Sequence, residues 1–127
     1  PTAVLASRRL ARRARALGLR ELDWISVELA GLTTPESAWL QAHVERPPVL
    51  VCGSYQVQSA AIRAGLGVGI GPRLFAELDP DFIALDHVGS GLPVLDVHLV
   101  TRRAIRDLPR VVAVMTALGD GIGALGA

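Results

Sequence analysis

A chain of 127 residues supports one ordinary domain with a real hydrophobic core. Its 50% apolar content excludes a disordered chain, and no apolar run approaches the ~20 residues needed to span a bilayer. The net charge of +1 hides a skew: all 13 basic residues are Arg, with no Lys and no Asn, which points to a GC-rich bacterial coding bias and cautions against reading each Arg as an anion fork.

In chain order, Val4–Ala6 reads as a short apolar strand. Arg8–Leu19 reads as a helix with a narrow stripe of Leu10, Ala14 and Leu17. Glu21–Leu29 is expected as a strand, and Gly31 with Thr33-Thr34-Pro35 as a turn. Thr34 can cap a helix that begins at Pro35, with Glu36 favouring its positive end and Trp39, Leu40 and His43 on its inner side. Pro47-Pro48 stops that helix, and Val49–Cys52 reads as a buried strand. Gln56–Ala64 is a helix ended by Gly65, Val68–Ile70 a strand ended by Gly71-Pro72, Leu74–Leu78 a short helix, and Phe82–Leu85 a strand. Gly89–Gly91 marks a turn. Val94–Thr101 has the clearest alternation, with Leu95, Val97 and Leu99 on one face and Asp96 and His98 on the other. Leu108–Leu118 is the last helix, and the glycine-rich tail after Gly119 is expected to fray.

The central stretch is a strand–helix–strand unit, the building block of a parallel α/β sheet. The three strands Asp23–Leu29, Val49–Cys52 and Val68–Ile70 are expected in one sheet. In such sheets ligands sit beyond the carboxyl ends of the strands. Those ends are Gly53-Ser54-Tyr55-Gln56 and Gly71-Pro72-Arg73, so Ser54, Tyr55, Gln56, Gly71, Pro72 and Arg73 are the candidate ligand-binding residues. A hydroxyl and free backbone N–H groups at a helix start suit a small anion. The plain alternative is that Ser54 only caps the helix.

Other constellations carry less. Gly65, Gly67, Gly69 and Gly71 fail the dinucleotide fingerprint, because the required third Gly falls on Ile70 or Pro72 and the segment opens a strand rather than a helix. Arg8, Arg9, Arg12, Arg13 and Arg15 form a basic run without neighbouring aromatics, which reads as a solvated helix face rather than a nucleic-acid patch. His43, His87 and His98 lack metal-ligand spacing, and no Gly-x-Ser-x-Gly elbow occurs. No metal, cofactor or catalytic residue is expected. The single Cys52 excludes an internal disulfide and reads as a small buried hydrophobe, compatible with a reducing cytoplasm.

Ser54 followed by Ala64-Gly65-Leu66-Gly67-Val68-Gly69-Ile70-Gly71-Pro72 resembles the effector-binding domain of LysR-type transcriptional regulators. The likeness continues through Phe82–Leu85, Leu95–Arg103 and Leu108–Val112, and fits Val4–Ser7 and Asp23–Val27 loosely. Gly71 departs from the bulky apolar residue usual before that Pro. The resemblance implies a Rossmann-like parallel sheet flanked by helices, one lobe of a periplasmic-binding-protein-type II fold. Residues 4–90 would be the second lobe with its crossing strands, and residues 94–120 the last strand and helix of the first. It implies a small-molecule effector, self-association through the orphaned Val94–Thr101 strand, and DNA contact only through a helix-turn-helix module outside the chain. Cytoplasmic location and no membrane partner go with it. The alternatives are a lobe of a solute-binding protein and a small α/β enzyme.

Overall fold

Strand β2 (Ile25–Leu29) organises the sheet in the computed structural model, which describes residues 1–126. It pairs in parallel with β4 (Leu50–Cys52), Ile25 opposite Leu50 and Val27 opposite Cys52. On its other side a parallel bridge, Trp24 with Val68, leads into β5 (Gly69–Pro72). The bridge is held by Ile25 N–H to the Val68 carbonyl at 2.7 Å and Val68 N–H to the Asp23 carbonyl at 2.8 Å. Next comes β1 (Thr2–Ser7), antiparallel both to β5 and to β6 (Phe82–Ala84). The expected α/β class holds, but the three expected strands do not share one sheet: β5, β1 and β6 form one three-stranded sheet, and Leu32–Thr33, β2 and β4 form another, joined by the Trp24–Val68 bridge. The first of these is wholly antiparallel, because β1 runs against both its neighbours, and the expected parallel pairing is confined to β2 with β4 and to the bridge.

Alternation along the strands sorts the core into two layers. Val4, Ala6, Trp24, Val68 and Ile70 face α1 (Arg8–Ala14) and α2 (Pro35–His43), where Ala11, Ala14, Trp39 and Leu40 are buried. Ala3, Leu5, Ile25, Val27 and Cys52 cluster with Ala61 and Ile62 of α3 (Tyr55–Arg63) on the opposite side. Each fully buried Leu, Ile or Val contributes about 1.5–3 kcal/mol, so both faces are needed.

The glycine-rich join has a packing explanation. Gly65, at φ +76°, closes α3: its N–H reaches the Ile62 carbonyl and the Leu66 N–H the Ala61 carbonyl, the hydrogen-bond pair of a Schellman motif. A Cβ on Gly67 would collide with the Asp23 carbonyl, and one on Gly69 would meet Gln58 Nε2 at 2.8 Å and Ile62 at 2.9 Å. Bare backbone at Gly69 lets α3 lie close, and at Gly67 it lets the chain approach Asp23 just before β2. The Gln58 amide then donates to the Ile25 carbonyl at 3.2 Å, supplying a partner where β2 and β5 part.

Several boundaries differ from expectation. α1 stops at Ala14 because the following N–H groups of Ala16 and Leu17 bond three residues back, tightening and ending the helix. Strand β2 starts only at Ile25, since Gly18–Asp23 is drawn into a loop. There the Glu21 carboxylate accepts the Gly18 N–H, and Arg46 donates to the Leu22 carbonyl and the Asp23 carboxylate. The turn at Gly31 is a tight hairpin to β3 (Leu32–Thr33), with Ala30 and Gly31 both at positive φ. His43 is exposed rather than inward, stacked on Trp39 at 4.4 Å. α4 (Leu74–Leu78) matches expectation.

Val94–Thr101 forms no strand, because among the described residues no neighbouring backbone pairs with it. Contacts divide the chain into two compact units, Pro1–Val94 and a second that begins at Leu95. The second unit holds a short 3-10 turn, Arg103–Ile105, and α5 (Pro109–Gly126). That helix runs on through the tail expected to fray after Gly119, while Ala127 lies outside the described residues.

Gly67→Ala is expected to lower unfolding stability in urea by at least about 2 kcal/mol, since the obstructing atom is backbone. Gly53 has open space around its Cβ position, so Gly53→Ala should stay within about 0.5 kcal/mol of the parent. Equal midpoints for the two variants would refute the packing argument.

Candidate functional site

Because β2, β4 and β5 run in the same direction, their carboxyl ends emerge at one edge of the sheet. Two helices begin there. Thr34 caps α2, its hydroxyl accepting the Ser37 N–H at 3.1 Å and donating to the Val27 carbonyl at 2.9 Å. Ser54 caps α3 from an extended backbone, its hydroxyl accepting the Val57 N–H at 3.3 Å. The expected capping role of Ser54 is therefore present. The N–H groups of Tyr55 and Gln56, in the first turn, have no acceptor within the helix.

The two helix starts differ in charge. Glu36, 2% exposed, lies in the first turn of α2 and offsets its positive end. No acidic residue occupies the first turn of α3. The Tyr55 hydroxyl donates to the Glu36 carboxylate, 3.2 and 3.4 Å from its oxygens, and so ties the two helices together. Burial, followed by the Glu36 charge and its hydrogen bond, pushes the Tyr55 phenol above its ordinary value.

The six candidate residues fall into two differently disposed groups. Ser54 and Tyr55 are half-buried and Gln56 is exposed. Gly71 is buried opposite Ala3, with Leu5 Cδ1 3.0 Å from where a Cβ would stand, so its bare backbone receives a core side chain. Pro72 lies opposite Thr2. Arg73 donates its backbone N–H to the Pro1 carbonyl, and its guanidinium grips Asp86 at 2.6 and 3.4 Å. That pairing holds the Asp86 carboxyl below its usual range. The structure thus sets both segments at one edge but leaves only the Ser54 end open. Neither the hollow beside α1 nor the hollow between α2 and β2 is lined by any of the six.

Sequence reasoning missed the Tyr55–Glu36 link and the Arg73–Asp86 pair. An acidic residue just inside a capped helix signals dipole compensation, and nothing in the local pattern announces its burial against a distant tyrosine. Cys52 is buried, which raises its thiol pKa and suits a packing role. No group of three His, Cys, Asp or Glu that could hold a metal occurs among the described residues.

Compared with known protein families, residues 1–122 match the one described as LysR substrate binding domain. No curated protein matches the chain.

Tyr55 is the only tyrosine, so its phenolate absorbance reports a single group. Its titration midpoint should lie above the ordinary tyrosine value of about 10. The unfolded chain releases that proton first, so the stability from this contact is whole below the ordinary value and falls as pH rises through the raised one. Glu36→Gln should bring the midpoint back toward ordinary, and an unshifted midpoint in the parent would refute the contact.

Proposed function

We propose, from the premise that this chain belongs to the LysR substrate-binding-domain family, that it is the ligand-sensing part of a transcriptional regulator whose effector is a small anion. Domains of this family have the periplasmic-binding-protein-like type II α/β fold and belong to regulators rather than enzymes. The observation that carries the anion reading is the open α3 start. There a hydroxyl and two free amides face an edge whose other helix start already holds its own carboxylate. Gly53, Ser54, Tyr55 and Gln56 form the receiving end, and Gly71, Pro72 and Arg73 its border. The Arg73 charge is balanced by Asp86, so the helix start and the hydroxyl supply most of the attraction.

In the same reading, residues 4–90 are the second lobe of a two-lobed domain and residues 94–120 the closing strand and helix of the first. Closure of the lobes about the effector shifts a pre-existing equilibrium, which a separate DNA-binding module then reports. Self-association and a cytoplasmic setting complete it. No helix among the described residues is long and apolar enough to cross a membrane.

The experiment is a thermal-shift screen of small carboxylates and phosphates on the full-length regulator, where any ligand specific to the folded state raises Tm. Ser54→Asp then separates the two roles of this residue. Asp caps as well as Ser, so Tm without ligand should hold, while the added charge should abolish the ligand-induced rise. A ligand response unchanged in Ser54→Asp would place the anion elsewhere.

A further inference from the structure

At the opposite edge of the sheet lies a second feature of another character. β1 runs antiparallel to β5, so its end at Ser7 lies away from Gly71-Pro72, and α1 begins there. An open hollow of about 880 Å³ is lined there by Arg8, Arg9, Arg12, Arg13 and Arg63, with Asp81 its only carboxylate. The four guanidiniums of α1 are not paired with acids. Arg8 donates through Nε and a terminal nitrogen to the Pro80 carbonyl at 3.1 and 2.8 Å, and Arg9 to the Ala64 carbonyl at 3.3 Å. Carbonyl partners fix a guanidinium without neutralising it and leave further N–H donors free. Arg12 and Arg13 have no side-chain hydrogen bond or ion pair among the described residues. Arg63 alone is balanced, by Asp79 and Asp81, and lies 5.0 Å over the Phe82 ring. By contrast Arg20, Arg46, Arg73 and Arg106 all meet carboxylates.

We infer that this hollow is a second anion site, distinct from the Ser54 edge, that takes a compact polyphosphate-bearing small molecule. Guanidiniums match phosphate oxygens with paired N–H donors, and four uncompensated ones around a concavity favour a ligand that concentrates several charges. Two of them are already held in place, so less side-chain entropy is lost on binding. A nucleic-acid duplex fits less well. α1 has only 7 residues, and none of the lining residues is an aromatic on which bases could stack. The run is a solvated helix face, as its pattern suggests, and Arg8, Arg9, Arg12 and Arg13 also line a hollow that Arg63, at the end of α3, borders.

The test is calorimetric titration of the chain with inorganic tripolyphosphate at low salt. Arg12→Gln/Arg13→Gln is compared with Arg102→Gln/Arg103→Gln, which removes equal charge outside the hollow. Circular dichroism checks folding, and the exposed positions of Arg12 and Arg13 should leave it intact. The groove variant should lose about tenfold or more in affinity, the scale of one charge-assisted hydrogen bond, while the control retains it. No binding by the parent, no loss in the groove variant, or equal loss in both variants would each overturn the site. A short DNA duplex serves as the other arm. If it binds through Arg12 and Arg13 while tripolyphosphate does not, the compact-anion assignment fails.

Discussion

The fit of α3 against the bare side of β5 is the constraint from which the rest of this unit follows. Gly67 lies against the Asp23 carbonyl, and Gly69 sits beneath Gln58 and Ile62. The helix therefore lies close enough for the Gln58 amide to reach the Ile25 carbonyl. Without that amide a buried carbonyl would lack a partner, at a cost of about 1–3 kcal/mol. Fixing α3 fixes both of its ends at once. Its start places the Ser54 hydroxyl and the Tyr55 phenol at the carboxyl edge of the strands. Its last turn carries Arg63 to the hollow beside α1. One packing contact therefore positions both candidate anion sites.

The charges at the two edges are arranged by opposite logic. At the strand ends, Glu36 offsets the α2 dipole and accepts from Tyr55, and Arg73 pairs with Asp86, so the proposed attraction comes from the α3 amides. At the other edge, arginines rest on carbonyls and keep their charge. Asp79 is an exception there: the Asp81 N–H, then the Arg63 guanidinium, hold its carboxyl below the usual range. The surface ion pairs add little stability, about 0–1 kcal/mol each. Their importance lies in which arginines they leave uncompensated.

The second unit shows how far alternation reaches. Leu95, Val97 and Leu99 do alternate with Asp96 and His98, as a half-buried strand requires. A strand, however, is completed by a neighbour's N–H and C=O groups, and this segment has none beside it. Within the unit Leu99 Cδ1 lies 3.9 Å from where a Cβ on Gly119 of α5 would stand, while Val97, Val100, Val112 and Val114 remain exposed.

The sequence by itself determined the elements whose signals are local. Thr34-Pro35 starts α2, Ser54 caps α3, Gly65 ends it and Leu74–Leu78 is a helix, because caps, fixed φ and positive φ act within a few residues. Strand–helix–strand order also gave the α/β class. Only the tertiary structure decided how β1 runs, where Tyr55 points, that Asp86 claims Arg73, and that a run of arginines walls a hollow. Each of these depends on atoms brought together across long stretches of chain, such as Arg8 and Pro80 or Tyr55 and Glu36. Local propensity carries no information about such partners, because their energy exists only once the layers have packed.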